Sequence, residues 1–326
     1  MKVTGVVLFL LSLLLTMATF DSGSASNSPS QTVSVLYAGS LGTVMEHGIG
    51  LAFTKATGIA FQGEAQGSVG GAQLIRDHLR TPDVFVSSDP LVNENYLMGA
   101  ANGNIVNWYM LIASSQIVLG YLPGNPHAKE FDEVAGGKMP WYQLLEKPGI
   151  RFGRGDPTID PKGFRTIFLF HLAANYYHRP ELNTILGTPQ NPAQVFPEIV
   201  LMARVEAGQF DAGFFYRHEA VARNIGYITF PPEINLGDPK FAAEYAKQTY
   251  TNAQGVTVHG APISFSIMIP AGALHADAAI SFVKFVLTSR ALLRQYGFGD
   301  VPHQVGGDPG QIPPPLRGLA EGTFRP

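Results

Sequence analysis

Two short stretches of this sequence offer the same chemistry. Tyr37-Ala38-Gly39-Ser40-Leu41-Gly42 and Gln66-Gly67-Ser68-Val69-Gly70-Gly71 each place a serine directly after a glycine. Each follows a β-rich segment and opens a segment with helical spacing. At such a turn the first backbone N–H groups have no partner within the helix, and the positive end of its dipole faces outward, so an anion is stabilised. Glycine lets the backbone come close, and the serine hydroxyl adds a donor or caps the helix. One such serine is ordinary capping; two in neighbouring units point to a shared anion. Ser87-Ser88-Asp89 repeats the arrangement a third time, but its acid disfavours direct anion contact.

Other chemistries find less support. The nine histidines contain no H-x-x-x-H pair and no cluster with acids at metal-ligand spacing. There is no G-x-S-x-G nucleophile elbow, and Gly136-Gly137-Lys138-Met139 lacks the Ser or Thr that ends a phosphate-binding loop. Trp108-Tyr109 and Trp141-Tyr142 read as hinge and core aromatics.

The elements that must position the Gly-Ser turns are legible from periodicity. Val33–Ala38, Ile59–Glu64 and Pro82–Val86 read as strands. The segments that follow them, Leu41–Thr57, Val69–Leu79 and Leu91–Met98, read as helices. Strand, small polar turn and helix, three times over, describe βαβ units with a parallel sheet. Both Gly-Ser turns then lie at the carboxyl edge of that sheet, where open α/β folds bind ligands. Further along, Ile112–Tyr121 reads as one long strand. Helices are expected over Pro140–Lys147, Gly163–Tyr177, Pro197–Ala207 and Ala276–Thr288, with strands over Asp211–Tyr216 and Ile263–Ile269. The Pro/Gly-rich tail from Gly306 is expected to wrap the surface without regular structure.

Composition narrows the class. The chain has 326 residues, 22 Lys+Arg against 25 Asp+Glu, and no cysteine. A net charge of −3 argues against nucleic acid as a partner. Absence of cysteine excludes thiolate chemistry, disulfides and Fe–S ligation, and suits an oxidising compartment. Apolar residues at 45% supply a core, whereas 14% charged residues exclude a charge-laced helical array. Met1-Lys2 followed by the apolar run from Val6 to Thr16 has the form of a signal peptide, placed over 1–25 with a polar linker over 26–32. The run is shorter than a membrane-spanning helix needs. The mature chain is thus expected in the periplasm or outside the cell, either released or tethered by an uncleaved segment.

Several segments, in order, resemble the substrate-binding proteins of tungstate/molybdate ABC importers, the branch first characterised in archaea. They are Tyr37-Ala38-Gly39-Ser40-Leu41, Gly67-Ser68-Val69, Pro82-Asp83-Val84-Phe85, Asn107-Trp108-Tyr109 with Ala113-Ser114-Ser115, Phe215-Tyr216-Arg217 and Pro231-Pro232-Glu233-Ile234-Asn235-Leu236. The most specific is Arg151-Phe152-Gly153-Arg154-Gly155-Asp156-Pro157-Thr158-Ile159-Asp160-Pro161-Lys162-Gly163-Phe164-Arg165. The resemblance covers roughly 33–300. It implies an α/β fold of the type II periplasmic-binding-protein class, with lobe 1 over 31–115 and 228–300, lobe 2 over 116–227, and a tail over 301–326. A tungstate or molybdate oxyanion would be held between the lobes, and the closed form, a monomer without catalytic activity or cofactor, would dock on a membrane permease. The resemblance implies oxyanion contacts from Ser40 and Ser68 with Gly39 and Gly67, and ligation of the metal centre by the carboxylates of Asp160 and Glu233. Carboxylates suit such a site only if they donate lone pairs to a hard, high-valent metal; sulfate would meet repulsion alone.

Read without the resemblance, Asp160 is a turn residue in a twofold Asp-Pro pattern and Glu233 a solvated loop acid. Arg154 and Arg165 are expected to pair with Asp156. The chain departs from the family pattern at Phe164, usually Tyr, at Ser115, usually Asn, at Gly70-Gly71-Ala72-Gln73, usually charged, and at Arg217-His218-Glu219, where small residues are usual. Tyr176-Tyr177 resembles the tyrosine pair of ferric-ion binding proteins of the same broad fold, but helical neighbours diverge by ~100° and core packing is the simpler reading. Rival functions are a binding protein for ferric ion, sulfate or phosphate, and a secreted hydrolase with Asp160 and Glu233 as an acid/base pair. Two tryptophans furnish a sugar cleft poorly.

Overall fold

The computed structural model describes residues 31–253 and 255–325, so the expected signal peptide lies outside the described residues. Thirteen strands are found among them: β1 (Thr32–Ala38), β2 (Ala60–Gln66), β3 (Val84–Ser87), β4 (Trp108–Ser114), β5 (Ile117–Tyr121), β6 (Phe152–Gly155), β7 (Val195–Phe196), β8 (Ala212–Tyr216), β9 (Gly226–Thr229), β10 (Thr249–Thr251), β11 (Thr257–His259), β12 (Ser264–Met268) and β13 (Val305–Gly307). One sheet has the order β13-β4-β12-β3-β1-β2, the other β7-β6-β8-β5-β9, and β10-β11 form a separate hairpin. In the first sheet β1 runs parallel to both β2 and β3, as the βαβ reading requires, while β12 runs antiparallel to β3 and β4. In the second, β6 is parallel to β7 and β8, and β5 is antiparallel to β8 and β9. Strands β3, β5, β8 and β12 are buried along their whole length, and the first three read as apolar runs rather than as alternation.

Two expectations are corrected here. The apolar run Ile112–Tyr121 is two strands, β4 and β5, which belong to different sheets. Ser115 and Gln116 separate them: the Ser115 amide bonds the Ile263 carbonyl, and the Ile117 amide bonds the Asn235 carbonyl. The break coincides with three polar residues, Ser114-Ser115-Gln116, set between apolar stretches that are buried in β4 and β5. The tail is also ordered. β13 pairs antiparallel with β4, and residues Pro314–Arg317 form a short helix whose Leu316 is buried.

Two packing features tie together elements that are distant in sequence. In the first, helix Ala276–Thr288 is held to β1 through Asp83, whose carboxylate accepts bonds from the Ser34 amide (2.8 Å) and hydroxyl (2.7 Å) and from the His275 amide (2.8 Å). His275 Nδ1 lies 3.0 Å from the same carboxylate. Burial alone would raise the Asp83 pKa, but these bonds outweigh it and hold the group below the usual carboxylate value. A depressed carboxylate stabilises the fold above its unfolded-state pKa and loses that contribution as the pH falls through its folded value. The melting-temperature advantage of the wild type over Asp83→Asn is therefore expected to be full near neutrality, to begin to fall below about pH 4, the ordinary carboxylate range, and to vanish only below the lowered folded value. The second feature is the β10-β11 hairpin, which touches elements of both sheets. Tyr250 stacks on Phe164 with centroids 6.4 Å apart, and its hydroxyl accepts from Gln190 Nε2. Asn252 donates to the Tyr96 hydroxyl at 2.9 Å.

Candidate oxyanion site

The two Gly-Ser turns stand side by side, as the parallel pairing of β1 with β2 dictates. Gly39-Ser40-Leu41 forms one tight turn directly after β1, and Ser68 opens the helix Ser68–Arg76 after β2. Both serines are buried. The Ser40 hydroxyl is buried and makes no hydrogen bond. The Ser68 hydroxyl accepts from the Ser88 amide and lies 3.0 Å from the Ser88 hydroxyl, so the third turn buttresses the second.

Residues of the second sheet's helices face these turns. Asp160 follows β6 and caps the helix Pro161–Tyr176, its Oδ1 accepting from the Lys162 amide at 2.9 Å. Its Oδ2 is buried without a hydrogen-bond partner. Glycine at position 155 makes room for it, since a Cβ there would lie 2.6 Å from that oxygen. Glu198 opens the helix Glu198–Glu206 and is buried, with neither oxygen hydrogen-bonded. Its Oε1 lies 2.8 Å from Lys162 Nζ in a buried ion pair. Its Oε2 comes to 2.8 Å from where a Cβ of Gly39 would stand. Glycine at 39 thus admits an acid to the first turn.

The second turn meets Asp160 in the same way. A Cβ on Gly67 would lie 2.5 Å from the Ile159 carbonyl and 3.6 Å from the Asp160 Cβ, and the Gly70 amide donates to that carbonyl at 3.3 Å. Gly67→Ala is therefore expected to hold the two faces apart. Binding of a ligand between them should weaken by roughly tenfold or more while the melting temperature changes little, because the clash arises only when the faces meet. Calorimetric titration beside a thermal melt checks this.

Electrostatics single out the same residues. Burial, reinforced by the charge of Glu198, raises the Asp160 pKa well above the usual carboxylate value. Burial also raises Glu219, although Lys162 opposes it. Burial works against the Lys162 ammonium, but the charges of Glu198 and Glu219 outweigh it and keep the group protonated. Arg165 spans the two faces: it donates to the Ser88 carbonyl and the Tyr216 hydroxyl, both at 2.7 Å, and pairs with Asp89 at 3.0 Å. The expected pairing with Asp156 is thereby corrected. Asp156 accepts from the Thr158 amide and hydroxyl, while Arg154 donates to the Thr188 carbonyl. His218 stacks on Phe298 at 3.9 Å, with Nε2 3.1 Å from the Ser40 carbonyl. Burial pushes its pKa down to about 3, so the ring is neutral near pH 7.

The structure brings Gly39, Ser40, Gly67, Ser68 and Asp160 together. It does not bring Glu233 to them. Glu233 lies half-buried on the loop after β9, where its charge acts on the Tyr177 and Tyr245 hydroxyls. The acid beside Asp160 is Glu198, which sequence reasoning passed over. Its only signal was an acid after Pro197 at the start of an amphipathic helix, a common helix opening in any protein. Of the tyrosine pair, Tyr176 is 45% exposed and Tyr177 packs on Tyr142, so the two do not converge on a ligand.

Two sheets with ligand-type turns at their facing edges define the architecture of periplasmic binding proteins. The fold is shared with the periplasmic molybdate-binding protein of Azotobacter vinelandii (TM-score 0.55, 16% identity, covering 84% of this chain and 100% of that one). It is shared as well with the sulfate-binding protein SubI of Mycobacterium tuberculosis (TM-score 0.51, 15% identity, 82% and 86%). At these identities the likeness concerns the fold alone. The chain belongs to the bacterial extracellular solute-binding protein family, whose model matches residues 33–299. A relative in Haloferax volcanii, provisionally named an ABC transporter molybdenum-binding protein, is 34% identical over 85% of this chain and 86% of its own. The molybdate/tungstate-binding protein WtpA of Thermococcus kodakarensis is 29% identical over 91% of this chain and 95% of its own. Among the described residues no helix is long and apolar enough to cross a membrane.

Proposed function

We propose that this chain captures molybdate or tungstate outside the cytoplasm and delivers it, as a monomer, to the permease of an ABC importer. The observation that carries this reading is a set of buried oxygens without a partner on facing surfaces: Ser40 Oγ, Asp160 Oδ2 and Glu198 Oε2. A buried polar group left unpaired costs about 1–3 kcal/mol, so a set of them marks a place built for a partner. Hydroxyls and first-turn amides suit the oxygens of an anion. Two carboxylates do not, unless the anion contains a hard metal centre able to take their lone pairs. An oxometallate meets both demands, and the names of the relatives agree with it. The acids ligate, in this reading, as Asp160 and Glu198, with Glu233 outside the site.

The cycle involves no covalent step. Ligand bound to one face draws the other over it by rotation about the segments joining the sheets, Ser115-Gln116 among them, and the closed form docks on the permease. Whether the N-terminal segment is cleaved or tethers the protein, the described residues work outside the membrane.

Titration calorimetry of the purified protein with molybdate, tungstate and sulfate tests this. Tight binding of the first two with sulfate at least about 100-fold weaker, some 2.7 kcal/mol, is the expected result. Silence with molybdate and tungstate, or sulfate bound as tightly as either, overturns the reading.

A further inference from the structure

Behind Glu198, the acid that meets the first Gly-Ser turn, lies a buried ion cluster. Lys162 is completely buried, with its Nζ 2.9 Å from both oxygens of Glu219 and 2.8 Å from Glu198 Oε1. Phe215 and Tyr216 flank the ammonium with ring centroids 5.5 Å away. Glu219 is itself fixed, since its Oε2 accepts from the Tyr216 amide at 2.8 Å. The three charged residues sit on three helices, Pro161–Tyr176, Glu198–Glu206 and Arg217–Ala222. An ammonium has three donors, and these contacts occupy its whole surroundings.

We infer that Lys162, braced by Glu219, is a positioning residue for Glu198: it holds Oε1 so that Oε2 alone is presented to the ligand beside Gly39. The inference rests on the oxyanion reading and names a part of that site which neither turn nor ligand supplies. Its argument is one of chemistry and cost. A glutamate at a helix start has several rotamers open to it and two equivalent oxygens. With one oxygen taken by a fixed ammonium, only one orientation and one lone-pair direction remain, as with the partners that orient ligands behind metal sites. A buried ion pair is poor at stabilising a fold, because desolvation offsets attraction and apolar replacements are commonly neutral or better. Packing alone would be served as well by a methionine. What the lysine adds is direction.

The double variant Lys162→Met/Glu219→Gln separates positioning from charge balance. It removes one positive and one negative charge, so the net charge of the cluster is unchanged. If Lys162 merely offset the acids, tungstate binding would stay within about threefold of wild type. Positioning predicts a loss of roughly 10–100-fold, the usual effect of removing a residue that orients a ligand. X-ray absorption at the tungsten edge on the protein with bound tungstate supplies a readout that a structural role would not move. The wild type should show two protein oxygens at the metal, and the double variant one. Unchanged affinity together with an unchanged spectrum overturns the inference. Should the double variant fail to fold, a crystal structure of the wild type with tungstate decides: Glu198 bound through one oxygen, with Lys162 on the other, supports positioning, and a bidentate Glu198 or a displaced Lys162 defeats it. A wild type that takes up neither tungstate nor molybdate defeats the oxyanion reading itself, and with it the inference, in the first arm of the experiment.

Discussion

Glu198→Gln is expected to weaken tungstate and molybdate binding by at least about 30-fold, whereas Glu233→Gln should leave it within about threefold. The first magnitude comes from the roughly 2–5 kcal/mol that truncating one partner of a buried, charged contact costs, each 1.4 kcal/mol being a factor of ten. Gln keeps the size of the side chain and loses the anionic lone pairs a metal centre requires. Glu233 is half-buried on its loop and its charge acts on Tyr177, so in this reading it does not ligate. Sulfate should move in the opposite direction. With one of two repelling carboxylates neutral, the penalty against an ordinary tetrahedral dianion falls, and the ratio of tungstate to sulfate affinity shrinks from both ends. Asp160→Asn should behave like Glu198→Gln while keeping the helix cap, because an asparagine oxygen can accept from the Lys162 amide that now bonds Oδ1. Calorimetric titration of the three variants with tungstate and sulfate is the measurement. Equal loss in Glu233→Gln and Glu198→Gln would show that the acid pair has been assigned to the wrong residue.

The largest effect on stability is expected from Lys162→Ala. Removing the ammonium leaves Glu219, Glu198 and Asp160 buried together with no cation between them. Breaking a buried pair by deleting one partner costs about 3–5 kcal/mol. For a chain of this size that corresponds to a melting temperature lower by roughly 6–15 °C. The loss should ease in acid, as the stranded carboxylates take up protons and cease to repel. Thermal melts at pH 7 and pH 5 test both statements. A drop of less than about 3 °C at pH 7 would mean that water or a neighbouring cation enters to replace the lysine.

Much of this architecture could be read from residue types. The three βα units announce themselves through short apolar strands ended by small polar turns, and the turns themselves through Gly-Ser. Asp160 by its type and spacing reads only as a turn residue in a twofold Asp-Pro pattern, and the resemblance alone singles it out. Where the reading failed, the physics explains why. Ile112–Tyr121 does carry a mark, since Ser114-Ser115-Gln116 are three polar residues in a row where the chain changes sheets, but the buried apolar residues on either side make the whole segment resemble one strand. The tail from Gly306 looked irregular from its Pro and Gly content, yet β13 needs only three residues to complete the edge of the first sheet. Glu198 is the instructive miss. An acid in the first turn of a helix is favoured by the dipole everywhere, so its type and spacing carry no news. Only its complete burial, with Gly39 facing one oxygen and Lys162 the other, sets it apart, and burial is a property of the fold. Glu233 stands in a distinctive run of sequence, Pro-Pro-Glu-Ile-Asn-Leu, that also shapes the backbone. Asn235 bonds the Phe230 carbonyl and the Gly237 amide, and Leu236 adopts a left-handed backbone, so the run encodes a loop shape.

The β10-β11 hairpin gives the molecule a clock as well as a grip. Because Tyr250 leans on Phe164 and Gln190 while Asn252 reaches Tyr96, the faces cannot part without breaking contacts that lie outside the ligand's own coordination. In the proposed function such contacts would lengthen the residence time of a bound ligand without changing which ligand is chosen, and a permease collecting it would have to loosen the hairpin.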